Sequence, residues 1–143
     1  MPGLRALILH GWHGSGPDHW QTWLAGRLRD AGAHVQYPAL PDCEVPCPDR
    51  WGAALHREVR ALAKGDGERV VIAHSLGCVL WLREAAEIRP EHRVDRVVLV
   101  APPCPGAGHL NVEAGYGPWP AMEAWALGDA EALETRPSPP VRA

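Results

Sequence analysis

The sequence predicts an α/β fold, a parallel sheet flanked by helices, from three observations. Short apolar runs recur along the chain: "RALILH" at 5–10, "AHVQY" at 33–37, "RVVIAH" at 69–74 and "VDRVVLVA" at 94–101. Between them lie longer stretches with apolar residues at helical spacing, the crossovers that parallel strands need. Glycine and proline fall where one period gives way to the next.

The elements follow in order. Residues 5–10 read as a buried strand. Pro17 sits where a first helical turn tolerates proline, ahead of Trp20, Trp23, Leu24 and Leu28 on one helix face, and this helix is expected to end near Gly32. "AHVQY" is the second strand. "PALPDCEVPCP" is a loop that Pro48 converts into a second helix, with Trp51, Leu55, Val59 and Leu62 on one face and Gly65 and Gly67 closing it. Residues 69–74 form the third strand, 76–88 the third helix and 94–101 the fourth strand. After Ala101 the alternation stops. "PPCPGAGHLNVEAGYGPWP" holds no strand, 119–134 reads as helix, and "TRPSPPVRA" at 135–143 is a Pro-rich tail too poor in apolar residues to order itself. The expected organisation is a single domain over 1–134 with about four strands, followed by the tail at 135–143.

Composition narrows the function. A chain of 143 residues is one domain in size. The formal charge is −3 and the pI near 6.2. The 13 Arg and one Lys are scattered rather than blocked, so the chain carries no electrostatic footprint for nucleic acid or an anionic membrane. The apolar run "LRALIL" near the start is too short for a signal-peptide core or a membrane span, and a cytoplasmic protein is expected. Cys43, Cys47, Cys78 and Cys104 include no CxxC pair and are expected to be reduced thiols.

The stretch "VVIAHSLGCVLW" at 70–81 carries the chemistry. Within "AHSLG", Ser75 lies at the end of the third strand between small residues at Ala73 and Gly77. This is the spacing of a nucleophile elbow, with alanine in place of the first glycine. A sharp strand-to-helix turn leaves the serine backbone strained and its hydroxyl projecting, so the positions two before and two after must be small. The following helix aims its first N–H groups at any oxyanion formed there. The competing reading is a serine that merely caps the helix.

Two further stretches bear on that choice. In "LILHGWHGSGPDHWQTWL" at 7–24 a strand ends in His10-Gly11, and Gly11 lets the backbone approach a substrate oxygen. The backbone N–H of Trp12 is the candidate oxyanion donor beside that of Leu76. Metal binding by His10, His13 and His19 competes, but their spacing without a carboxylate pair fits no zinc pattern, and no metal is expected. In "GAGHLNVEAGYGPWP" at 106–120, His109 lies among glycines where a general base can reach a serine on the adjacent strand. His74 is expected to pack beside the serine without acting.

Together these stretches resemble the small serine hydrolases of the retinoblastoma-binding-protein 9 type, a branch of the α/β-hydrolases, over residues 4–127 with one large interruption. The resemblance implies an α/β-hydrolase-like sheet, Ser75 as nucleophile, His109 as base, small esters or amides as substrates and no cofactor. It also shows a gap. Members carry the acid of the triad between the "APP" strand end and the "GH" loop, whereas here "APPC" at 101–104 runs almost directly into "GAGH" at 106–109. Roughly forty residues are missing, the length of two helix-plus-strand units. Asp95 opens the fourth strand at the wrong end of the sheet, which leaves Glu113, four residues past His109, as the substitute acid. The deletion also leaves "VVLV" at 97–100 as an exposed edge, so a homodimer through 94–101 or poor solubility is expected. The leading reading is a serine hydrolase of small carboxylic esters or amides. The alternative is a non-catalytic hydrolase remnant acting as a protein-binding module.

Overall fold

The apolar runs become strands because helices cover them on both faces. In the computed structural model, which describes residues 3–101 and 118–129, the strands are β1 (Gly3–Leu9), β2 (His34–Gln36), β3 (Gly67–His74) and β4 (Arg96–Val100). They form one parallel sheet in the order β2-β1-β3-β4. The chain steps outward from β1 to β2, then crosses back over β1 to β3. The winding therefore reverses between β1 and β3, and such a reversal opens a crevice at the carboxyl ends of the two strands.

Period-two alternation divides the core into two layers. Ala6, Ile8, Val70 and Ile72 face α1 (Trp20–Asp30) and α4 (Pro120–Ala126), packing on Leu24, Leu28 and Met122. Leu7, Leu9, Val71 and Ala73 face the other way, toward α2 (Pro48–Leu62) and α3 (Leu76–Glu84), against Leu55, Leu62 and Cys78. The four-strand parallel sheet with flanking helices agrees with the fold class read from the sequence.

The boundaries differ in instructive places. α1 begins at Trp20 rather than at Pro17, because the ring of His19 supplies the cap: its Nδ1 accepts the Gln21 N–H at 3.1 Å. Pro48 opens α2 as expected. Gly67 does not close that helix but starts β3, with φ at +138°. The helix expected over 76–88 stops as α3 at Glu84 and tightens into a single 3₁₀ turn, Ala85–Glu87. α4 ends at Ala126, before Gly128 with φ at +119°. The "GAGH" loop and the Pro-rich tail lie outside the described residues. Among the described residues no helix is long and apolar enough to cross a membrane.

Candidate active site at the carboxyl ends of β1 and β3

Ser75 stands between β3 and α3 with φ 54° and ψ −122°, on the left-handed side that L-residues avoid. Such a backbone costs on the order of 1–3 kcal/mol and persists only where the surroundings enforce it. Here the Ser75 N–H donates to the Val100 carbonyl at 2.9 Å, extending the β3–β4 ladder, and its carbonyl accepts the Cys78 N–H at 2.9 Å. The Ser75 side chain makes no cap hydrogen bond to α3. Capping therefore does not account for the serine.

Small residues let three backbone segments meet at this point. A methyl group on Gly11 would lie 2.8 Å from Ser75 Cβ and 3.2 Å from its Oγ. One on Gly77 would lie 2.7 Å from the His10 carbonyl oxygen and 2.8 Å from that of Leu9. Glycine is needed at both because close approach, not flexibility, is the constraint. Leu76, the first residue of α3, follows Ser75 directly, and Trp12 follows Gly11.

Buried polar side chains hold the loop after β1 in place. Leu40 N–H donates to His10 Nε2 at 2.8 Å, which leaves Nδ1 to carry the proton and donate to the Gly11 carbonyl at 2.8 Å. His10 is thus a neutral imidazole, and burial pushes its pKa below the ordinary histidine value. Gln21, fully buried, donates through Nε2 to the Leu9 carbonyl at 2.9 Å and accepts the Ser15 hydroxyl at 2.8 Å. His74 packs against both His19 and Trp20, with ring centroids 4.9 and 5.7 Å away. The thiol of Cys78, beneath Ser75, donates to the carbonyls of Ala73 and Val100, and burial raises its pKa to about 11. It stays protonated and offers no rival nucleophile.

The structure thus brings Ser75, Leu76 and Gly11 with its neighbour Trp12 to one point. His109 and Glu113 lie outside the described residues. Asp95 accepts the Arg69 N–H at 2.9 Å just before β4 begins, at the opposite end of the sheet from Ser75. Gln21 and the tautomer of His10 are two parts of the site that the sequence pattern does not announce. The one signal for Gln21 was its place, one residue after Trp20, inside an otherwise apolar helix face. Among the described residues, no three His, Cys, Asp or Glu side chains gather as a metal site, and His10 and His19 are committed to backbone groups instead.

Comparison with known proteins gives this geometry a context. A family profile described as serine hydrolase matches residues 6–106. YdeN of Bacillus subtilis (strain 168), which carries the name of a hydrolase, is 28% identical over 97 residues, 68% of this chain and 50% of that protein. The crystal structure of a YdeN-like protein from Pectobacterium atrosepticum superposes with a TM-score of 0.58 at 25% identity, covering 72% of this chain and 51% of the other. The structure of the B. subtilis ydeN gene product gives a TM-score of 0.65 at 16% identity, over 91% of this chain and 98% of that one, a likeness of fold alone. The chain spans about half the length of the curated relative it matches.

Proposed function

Because the chain belongs to the serine hydrolase family, its matched segment running from residue 6 to residue 106, we propose that it cleaves small carboxylic esters or amides through Ser75. The Ser75 hydroxyl attacks the acyl carbonyl while His109 takes its proton. The backbone N–H groups of Trp12 and Leu76 hold the oxyanion that forms, and the N-terminal end of α3 adds its dipole. His109 then returns the proton to the leaving alcohol or amine. Water, deprotonated by the same imidazole, releases the acid and restores Ser75. As the resemblance implies, the step so written uses no cofactor.

One observation carries this reading: the left-handed backbone of Ser75 at the winding reversal of the sheet, with Gly11 pressed against it. A structural serine has no use for that conformation, whereas a nucleophile needs it to project above the strand ends. The resemblance to the retinoblastoma-binding-protein 9 type extends the proposal. The segment bearing the triad acid is deleted between Cys104 and Gly106, and Glu113 serves in its place. Loss of the acid costs on the order of 10⁴ in turnover in a serine triad, and Glu113, reaching His109 from only four residues along the chain, recovers part of that, so a slow enzyme is expected. The proposal extends to a single domain over 1–134 in the cytoplasm, with 135–143 as a Pro-rich tail in sequence.

Hydrolysis of p-nitrophenyl acetate tests the proposal. The wild-type chain is expected to turn the ester over above the buffer rate, and Ser75→Ala is expected to fall to the buffer rate while remaining folded. Equal rates for the two would overturn it. The second reading, a non-catalytic remnant that binds protein, is favoured by the near-direct run of "APPC" at 101–104 into "GAGH" at 106–109, which leaves no place for the triad acid. A folded wild type with no turnover would favour that reading.

A further inference from the structure

Trp12 stands apart from the other tryptophans. Trp20, Trp51, Trp81 and Trp119 are buried and Trp23 and Trp125 half-buried, whereas Trp12 is 56% exposed. Exposed, it is nevertheless fixed. The Gly14 N–H donates to the Gly11 carbonyl at 3.1 Å, closing a turn with Trp12 and His13 at its corners. His13 holds φ at 66°, at a corner where glycine or asparagine is usual, so the turn keeps a side chain there against steric preference. The two rings stack at 4.4 Å with planes 17° apart.

Both corners are tied to the loop before α2. The Trp12 indole N–H donates to the Glu44 carbonyl at 3.0 Å, the His13 N–H donates to the Cys43 carbonyl at 3.0 Å, and the His13 ring pairs with the Glu44 carboxylate. With its N–H satisfied and one face on His13, the indole leaves only apolar surface to solvent. A large apolar group held rigid in water adds little to folding, yet it binds a flat partner with little further loss of entropy. It also sits one residue from Gly11, whose Cα faces the Ser75 side chain.

We infer that the Trp12–His13 stack, braced by Glu44, is a specificity-determining platform that takes an aromatic group of the substrate beside Ser75. This rests on the hydrolase reading and names the substrate class for that site: esters whose acid or alcohol portion carries a ring.

The test reads binding without turnover. Dissociation constants of methyl benzoate, benzyl acetate and methyl acetate are measured by ligand-observed NMR on the Ser75→Ala protein. The benzoate and benzyl arms distinguish a ring on the acid from one on the alcohol. At least one ring-bearing ester is expected to bind about tenfold tighter than methyl acetate, the size of one aromatic contact. That advantage should vanish when Trp12→Ala is added and persist with Trp12→Phe. If Trp12→Ala does not fold, Trp12→Leu, which keeps bulk without a ring face, carries the same expectation. Ring-bearing esters that bind no tighter than methyl acetate, or equally well without the Trp12 ring, overturn the inference. Trp12-dependent binding in a chain that fails to hydrolyse p-nitrophenyl acetate would sink the hydrolase reading and leave the platform standing. Hydrolysis with binding indifferent to Trp12 would remove the platform alone.

Discussion

At the scale of residues, the site is a set of close approaches. Gly77 lets the first turn of α3 rest on the carbonyls of Leu9 and His10, so Gly77→Ala should destabilise the fold by about 1–3 kcal/mol, seen as a lower urea midpoint. An unchanged midpoint would mean that α3 can back away from β1. His10 gives a pH dependence. Its folded-state pKa is lowered by burial, while the unfolded chain titrates near the ordinary 6.5. Between the two values the unfolded state binds more protons. The His10 contribution is therefore complete above about pH 6.5 and is lost as pH falls from there through the lowered value. Urea unfolding from pH 8 to pH 5 should show this loss in the wild type and less of it in His10→Asn; parallel slopes would contradict it. The positions of Ser75, Gly77 and Gly11 were legible from the sequence because spacing alone demands small residues around a sharp turn. The roles of His10 and Gln21 were not, since their partners, the Leu40 N–H and the Leu9 carbonyl, are backbone groups that a one-dimensional pattern does not reveal.

At the scale of elements, hydrophobic period located the four described α-helices and four strands, but side-chain hydrogen bonds set the start of α1 and hold the end of α4. The His19 ring starts α1 where Pro17 was expected to, because a side-chain acceptor for the Gln21 N–H outweighs a favourable φ. α4, seven residues long, is too short to stand alone and is held from both sides. Arg96 donates to the carbonyls of Trp125 and Ala126 at 2.6 and 2.9 Å, lies 4.6 Å from the Trp125 ring centroid and pairs with Glu68. Arg27 pairs with Glu123 at 3.1 Å. Arg96→Ala removes the cap on the last turn and should cost about 1–2 kcal/mol. Hydrogen exchange over 120–126 should rise more than exchange in β1. Uniform exchange across both would show that Met122, fully buried, anchors the helix without Arg96.

At the scale of the whole molecule, the sheet order and the winding reversal explain why one end of β3 gathers Ser75, Gly11 and the α3 N-terminus. Sequence alternation gave the parallel class, while strand order followed from long-range pairing that no local pattern encodes. β4 pairs only with β3 among the described residues, and Val97 on it is 36% exposed. A homodimer through this edge is the proposal for the intact chain. Light scattering should show a dimer that Val97→Lys converts to monomer, and a wild-type monomer over a wide concentration range would contradict it. Activation of the strained Ser75 as a nucleophile is read by intact-mass analysis after incubation with a fluorophosphonate probe. A single adduct is expected on the wild type and on neither Ser75→Ala nor His109→Ala. A folded wild-type chain that takes up no adduct would contradict it and leave the turn at Ser75 as architecture without chemistry.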